Sequence, residues 1–201
     1  MATARSNRSP AQLADELREL ERVHWPTVWA GPPAPGLPLE DWCAQFGWKP
    51  QSAEWALDVT GSTGQGMALY PVQERGWAPV QLVSWTPWQL CADDTSENDA
   101  VLDRAADAWS AFEAALRPVL GEPEFSGAWD DPDFPEPWHE HHWLMPRDLR
   151  LEDMSPYRVT IWRERHPEDR VTVLGVDLGP ALDPGELRHA LITIECRPPE
   201  I

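Results

Sequence analysis

Lysine is almost absent from this 201-residue sequence, in which Lys49 stands alone beside 15 arginines. Mechanisms built on a lysine nucleophile, a Schiff base or a phosphate-loop lysine therefore have one candidate. Positive charge is scarce altogether: 16 Lys and Arg against 34 Asp and Glu leave a net charge of −18. Such a chain repels phosphate backbones and anionic lipid, which argues against nucleic-acid and membrane partners and favours cationic ones. Cysteine is limited to Cys43, Cys91 and Cys196, an odd number without C-x-x-C spacing, and this fits a reduced, cytoplasmic setting. No apolar stretch follows Arg5 and Arg8, so no secretory signal is expected, and no run approaches the ~18 apolar residues of a membrane-spanning helix.

What the chain does have is tryptophan, 13 of them against only six Phe and Tyr, within a hydrophobic content of 42%. That is enough large apolar surface for one domain with a sizeable core. Residues 1–9 read as a flexible arm and 10–201 as a single domain. Ser9-Pro10-Ala11-Gln12 carries the signature of a capped helix start, with Leu13, Leu17 and Leu20 on one face of a helix over 10–22. The five prolines between His24 and Pro38 predict a loop. Pro38 then opens a short helix bearing Leu39, Trp42, Cys43 and Phe46 and stopped by Gly47. Residues 55–60, 66–70 and 80–85 predict an antiparallel meander. Thr95 or Ser96 caps the clearest helix, in which Leu102, Ala105, Trp109, Phe112, Leu116 and Val119 recur at helical spacing opposite Asp103, Arg104, Asp107 and Glu113. Residues 122–137, with four prolines and six carboxylates, read as an exposed acidic connector. Strands are expected at 142–146, 149–152, 157–162, 171–176 and 191–195, with a helical turn at Pro184. The fold class is therefore α+β: a largely antiparallel sheet, one long helix packed on it, and short N-terminal helices.

No motif specifies a reaction. Trp138-His139-Glu140-His141-His142 is the best metal candidate, but Trp143 stands where the helical zincin motif needs its second histidine; an extended segment puts only His139 and His141 on one face. Two ligands do not make a specific site, so neither metal nor cofactor is expected. Asp130, Asp131 and Asp133 lack the glycine and terminal glutamate of a calcium loop. Gly61-Ser-Thr-Gly-Gln-Gly66 lacks the lysine of a phosphate loop and reads as a hairpin turn. No G-x-S-x-G elbow positions a hydrolase triad, and Cys43 sits in an apolar helical setting as a packed side chain. Most tryptophans are expected in the core. Trp85, Trp88, Trp129, Trp138 and Trp143 lie beside turns or the connector and are the candidates for exposure.

Charge is unevenly placed. Between Gly76 and Pro146 there are 14 Asp and Glu and only Arg104 and Arg117, so this stretch holds −12 of the net −18. Acidic side chains interleaved with aromatics make a surface complementary to a basic protein. The candidate contact residues are Asp93, Asp94, Glu97, Asp99, Trp129, Asp130, Asp131, Asp133, Glu136, Trp138 and Glu140. Phe46-Gly47-Trp48, Leu120-Gly121-Glu122-Pro123, Trp143, Leu149-Arg150-Leu151 and Val159-Thr160-Ile161-Trp162 together resemble a family of small acidic actinobacterial proteins of unknown function with an immunity-protein character. The resemblance spans most of residues 23–176, and the sequence departs from it at 31–38 and 138–142. It implies a non-enzymatic partner of a toxin. The alternatives are a small metal-dependent hydrolase built on His139, His141 and His142 and a tryptophan-based carbohydrate-binding module.

Overall fold

The computed structural model describes residues 3–6, 8–33, 37–72, 78–137, 143–163, 170–179 and 186–199. Helix α1 (Pro10–Leu20) starts where its sequence signature places it. The Ser9 hydroxyl accepts from the Gln12 backbone N–H, and the Gln12 side chain accepts from the Ser9 N–H at 2.8 Å. The segment after His24 is not wholly a loop. Pro26 falls in the first turn of helix α2 (Trp25–Ala30), where its missing donor is not needed, and Trp25 stacks on Trp29 with ring centroids 4.9 Å apart. Helix α3 (Leu37–Ala44) buries Leu39, Trp42 and Cys43, and Phe46 meets Trp42 edge-on.

Nine strands follow the chain as β1 (Thr3–Ser6), β2 (Lys49–Ala53), β3 (Leu57–Thr60), β4 (Gly66–Pro71), β5 (Val80–Cys91), β6 (Phe125–Ala128), β7 (Arg158–Arg163), β8 (Val171–Leu178) and β9 (His189–Arg197). Eight of them lie in the order β2-β3-β4-β5-β9-β8-β7-β6, and β1, within the stretch read as an arm, pairs with the far half of β5. Every pairing among the described residues is antiparallel. Strand β5 is twice the expected length because it runs through Pro87: the register with β9 slips by one residue between Trp85 and Trp88, so the proline sits in a bulge where no ladder donor is required. Trp85 and Trp88 are consequently buried, not exposed.

The long helix, α4 (Asn98–Leu120), crosses β9, β8 and β7 and also carries α1 on its flank. Asp94, rather than Thr95 or Ser96, caps the preceding single turn of tight helix by accepting from Ser96 N–H. Gly121, at φ +85°, ends α4 in a conformation that side-chain-bearing residues rarely adopt, and its carbonyl accepts from Trp162 Nε1 at 3.0 Å. Helices and sheet enclose the main core, from Leu13 and Leu17 through Phe112 and Leu116 to Leu174, Ile192 and Ile194.

Three further expectations fail. Residues 125–128 of the connector pair with β7, and Phe134 is buried beneath the sheet against Phe125, Val159 and Val173. Residues 149–152 lie in helix α5 (Arg147–Asp153): the apparent alternation points Leu149 and Leu151 outward and buries Arg150 between them. Residues 143–146 form no strand; His142 and the Pro184 turn lie outside the described residues.

Glu113, expected on the outer face of α4, points inward. It accepts from Arg117 Nη2 at 2.7 Å and from Ser126 Oγ at 3.0 Å, with Thr160 Oγ1 at 3.4 Å, and so ties α4 to β6 and β7. Glu113→Ala leaves two hydroxyls and a guanidinium without their shared acceptor and is expected to cost roughly 2–3 kcal/mol. Glu113→Gln, which keeps an acceptor, is expected to cost less. Urea denaturation midpoints of the two variants measure the difference.

Candidate functional site

The acidic residues separate into two clusters. Asp93, Asp94, Glu97 and Asp99 lead into α4, whereas Trp129, Asp130, Asp131, Asp133 and Glu136 follow β6. Cross-strand partners run Ala128, Arg158, Val176, Ile192, Trp88. Four inter-strand spacings, roughly 19 Å, therefore lie between the strand ends that carry the clusters. Trp138 and Glu140, with His139, His141 and His142, lie outside the described residues. Among the described residues there is no group of three or more His, Cys, Asp and Glu able to hold a metal ion.

The second cluster is largely committed to folding its own loop. Arg150, only 2% exposed, donates to the Trp129 carbonyl, pairs with Glu136 at 2.7 Å and lies 3.9 Å over the Phe134 ring. Asp131 accepts from Asp133 N–H at 2.9 Å in a side-chain turn. Within this cluster Asp130 and Asp133 remain as exposed carboxylates, beside a half-buried Trp129.

The first cluster extends further than its sequence neighbourhood. Asp99, Asp103 and Asp107 are all exposed and stand four residues apart, so they form one stripe along the outward face of α4, with Asp93 and Asp94 exposed at its head. Asp94 is held below the ordinary carboxylate range by its hydrogen bonds from Ser96. The stripe ends where Ser110, Ala111 and Ala114 take over the same face.

A second feature lies on the opposite face of the sheet. There β9 presents Thr193, Glu195 and Arg197, and β8 presents Gly175 and Asp177. These residues border a cavity of about 160 Å³ whose apolar wall includes Phe134, Leu144, Val159 and Val173 and whose rim includes Trp143. Arg197 pairs with Glu195 at 2.7 Å and lies 5.1 Å over the Trp143 ring. Thr193 Oγ1 donates to Asp177 at 3.4 Å. Gly175 keeps the floor low, since a Cβ there would stand 3.2 Å from Thr193 Oγ1. Sequence reading missed this site because its carboxylates come from two strands whose pairing no local pattern reveals.

Other positions resolve simply. Trp55 is 86% exposed at the tip of the β2–β3 hairpin, where a strand was expected to hold it. Burial pushes the Cys43 thiol up to about 11, which leaves it packed and un-ionised. No helix among the described residues is long and apolar enough to cross a membrane. No family model matches the chain, and neither the curated proteins nor the solved structures contain a match.

Asp177 is displaced upward from its ordinary 3.8, first by burial and then by the negative charge of Glu195, with the Thr193 hydroxyl opposing. The fold thus prefers its neutral form. Below pH 3.8 the residue costs nothing; the cost grows as pH rises from there through the raised folded-state value and persists at neutral pH. Asp177→Asn is accordingly expected to raise the melting temperature at pH 7 and to leave it nearly unchanged at about pH 3. Thermal melts of both proteins across that range provide the measurement.

Proposed function

We propose that this protein is a non-enzymatic cytoplasmic binding protein of the immunity or antitoxin kind, which holds a basic toxin by covering its cationic cleft. The observation that carries this reading is the stripe Asp99, Asp103, Asp107 on α4, headed by Asp93 and Asp94. Like charges four residues apart each cost a helix about 0.2–0.5 kcal/mol. Only Asp99, in the first turn, is offset by the helix dipole. Asp103 and Asp107 lie beyond the first turn, outside the reach of the dipole, and a cationic partner gains a steering field from them. Asp130 and Asp133 add a second acidic rim, and Glu97 helps shape the head of the stripe by accepting from Asp93 N–H at 3.1 Å.

The resemblance of the spaced Trp, Gly and Leu positions to immunity-type proteins points the same way, and the net charge of −18 makes a basic partner the complementary one. Binding of this type works by occlusion: carboxylates meet Lys and Arg lining the partner's cleft, and the interface core is closed by apolar contacts around them.

The test begins with affinity capture from the native host, followed by association kinetics of the captured protein. Replacing Asp99, Asp103 and Asp107 together by Asn is expected to slow association about tenfold while changing dissociation little. For the unaltered protein, raising salt from about 50 mM to about 500 mM should slow association steeply. A captured toxin that associates equally fast with the triple variant, or equally fast at both salt concentrations, would refute the proposal.

A further inference from the structure

We propose that the cavity on the face of the sheet turned away from α4 is a binding site for an alkylammonium group, a primary ammonium carried on a short apolar chain. The inference is independent of the toxin-binding reading, because the cavity and the stripe on α4 occupy opposite faces. Its chemistry follows from what the cavity offers. Phe134, Leu144, Val159 and Val173 give an apolar wall, and such surface favours a hydrocarbon stem over water. At the polar end, Asp177 and Glu195 place two carboxylates on either side of the Thr193 hydroxyl, and Arg197 returns one positive charge. Among the described lining residues the set is therefore one negative charge in excess, so that an anion would meet two carboxylates and a neutral group would offset no charge.

Size and donor geometry narrow the ligand. About 160 Å³ is below the range that holds drug-sized molecules, so only a small group enters. An ammonium has three donors and no acceptor, which suits a polar end whose lining offers the carboxylates of Asp177 and Glu195 and the Thr193 hydroxyl oxygen from adjacent strands. A guanidinium is the poorer fit, since the aromatic ring at the rim is already covered by Arg197. Gly175 belongs to the site as the residue whose lack of a side chain leaves the floor open under Thr193.

The shared chemistry has two sources, a free amine or the lysine side chain of a protein, and one experiment separates them. Binding of n-butylammonium is followed by amide chemical shifts of the full chain, alongside n-butanol, which has the same stem and no charge, and Nα-acetyl-lysine methylamide. The expected result is saturable n-butylammonium binding in the millimolar range or tighter, shifts confined to residues around Gly175 and Thr193, at least a ~tenfold loss in Asp177→Asn, and no saturation by n-butanol. Equal affinity of the lysine derivative assigns the site to a protein side chain; binding of the free amine alone assigns it to a small molecule. Asp177→Asn is the more stable protein by the argument above, so lost binding cannot be put down to unfolding, and its thermal melt verifies this. No saturable n-butylammonium binding, equal binding by n-butanol, or unchanged affinity in Asp177→Asn overturns the proposal and leaves the α4 reading untouched.

Discussion

The structure depends on the two-residue alternation of β9 beside β8. Ala190, Ile192, Ile194 and Cys196 point to one face and are fully buried against the helices, while Leu191, Thr193, Glu195 and Arg197 point to the other and are half-buried. A slip of one residue would exchange these two sets and put Glu195 and Arg197 under α4. Strand β8 has no such contrast, because Val171 to Val176 are buried on both sides. Its inner face lies under α4, and its outer face lies under the loop that Phe134 and Leu144 hold down. The near-continuous apolar run of β8 is what a strand covered on both faces requires. The half-polar β9 marks where that second cover ends, and the cavity opens at this border.

Coverage of the second face in turn depends on one cation. A loop with so many prolines and carboxylates cannot bury itself by apolar contact alone, and it has little regular backbone pairing beyond β6. Arg150 supplies the missing tie by donating to a carbonyl, neutralising Glu136 and stacking on Phe134. A buried guanidinium tolerates this position because its polar edge has charged and carbonyl partners and its flat face meets a ring. The scarcity of positive charge makes each arginine conspicuous, and several are spent internally: Arg8 meets buried Glu16 at 2.5 Å, and Arg170 lies 4.9 Å over the Trp25 ring.

Much of this was legible from sequence where the signal is local. The Ser9 capping box, the apolar period of α4 and the alternation of β9 each involve residues within a few positions of one another, and the α+β architecture follows from them. Proline misled in two places for a common reason. It forbids donors, yet Pro26 in a first turn and Pro87 in a bulge occupy positions where no donor is needed. Glu113 and Arg150 misled because their partners are distant: Ser126 and Thr160 lie 13 and 47 positions from Glu113, and Trp129 lies 21 from Arg150. A charged residue on an apparently polar face reads as solvated unless that long-range pairing is known. The cavity pair Asp177 and Glu195 was hidden for the same cause.

The two candidate sites differ in range as well as in place. Carboxylates along α4 act through a field that salt screens over about 8 Å at physiological ionic strength, so they govern encounter more than residence. The cavity acts only on what has entered it, through contact, desolvation and the polar groups of its lining. A helix packed on a sheet places their outward surfaces on opposite sides of the molecule. A standard interface covers about 800 Å² of one partner, which does not extend around both faces of a nine-stranded sheet. One rigid partner therefore cannot use the stripe to approach and the cavity to hold. Either a partner wraps the sheet edge at β6, where the acidic loop joins the two faces, or the stripe and the cavity serve different ligands. The short β6 edge, four residues long and followed by Asp130 and Asp133, leads into the loop whose Phe134 lines the cavity, and so brings acidic surface and cavity face together.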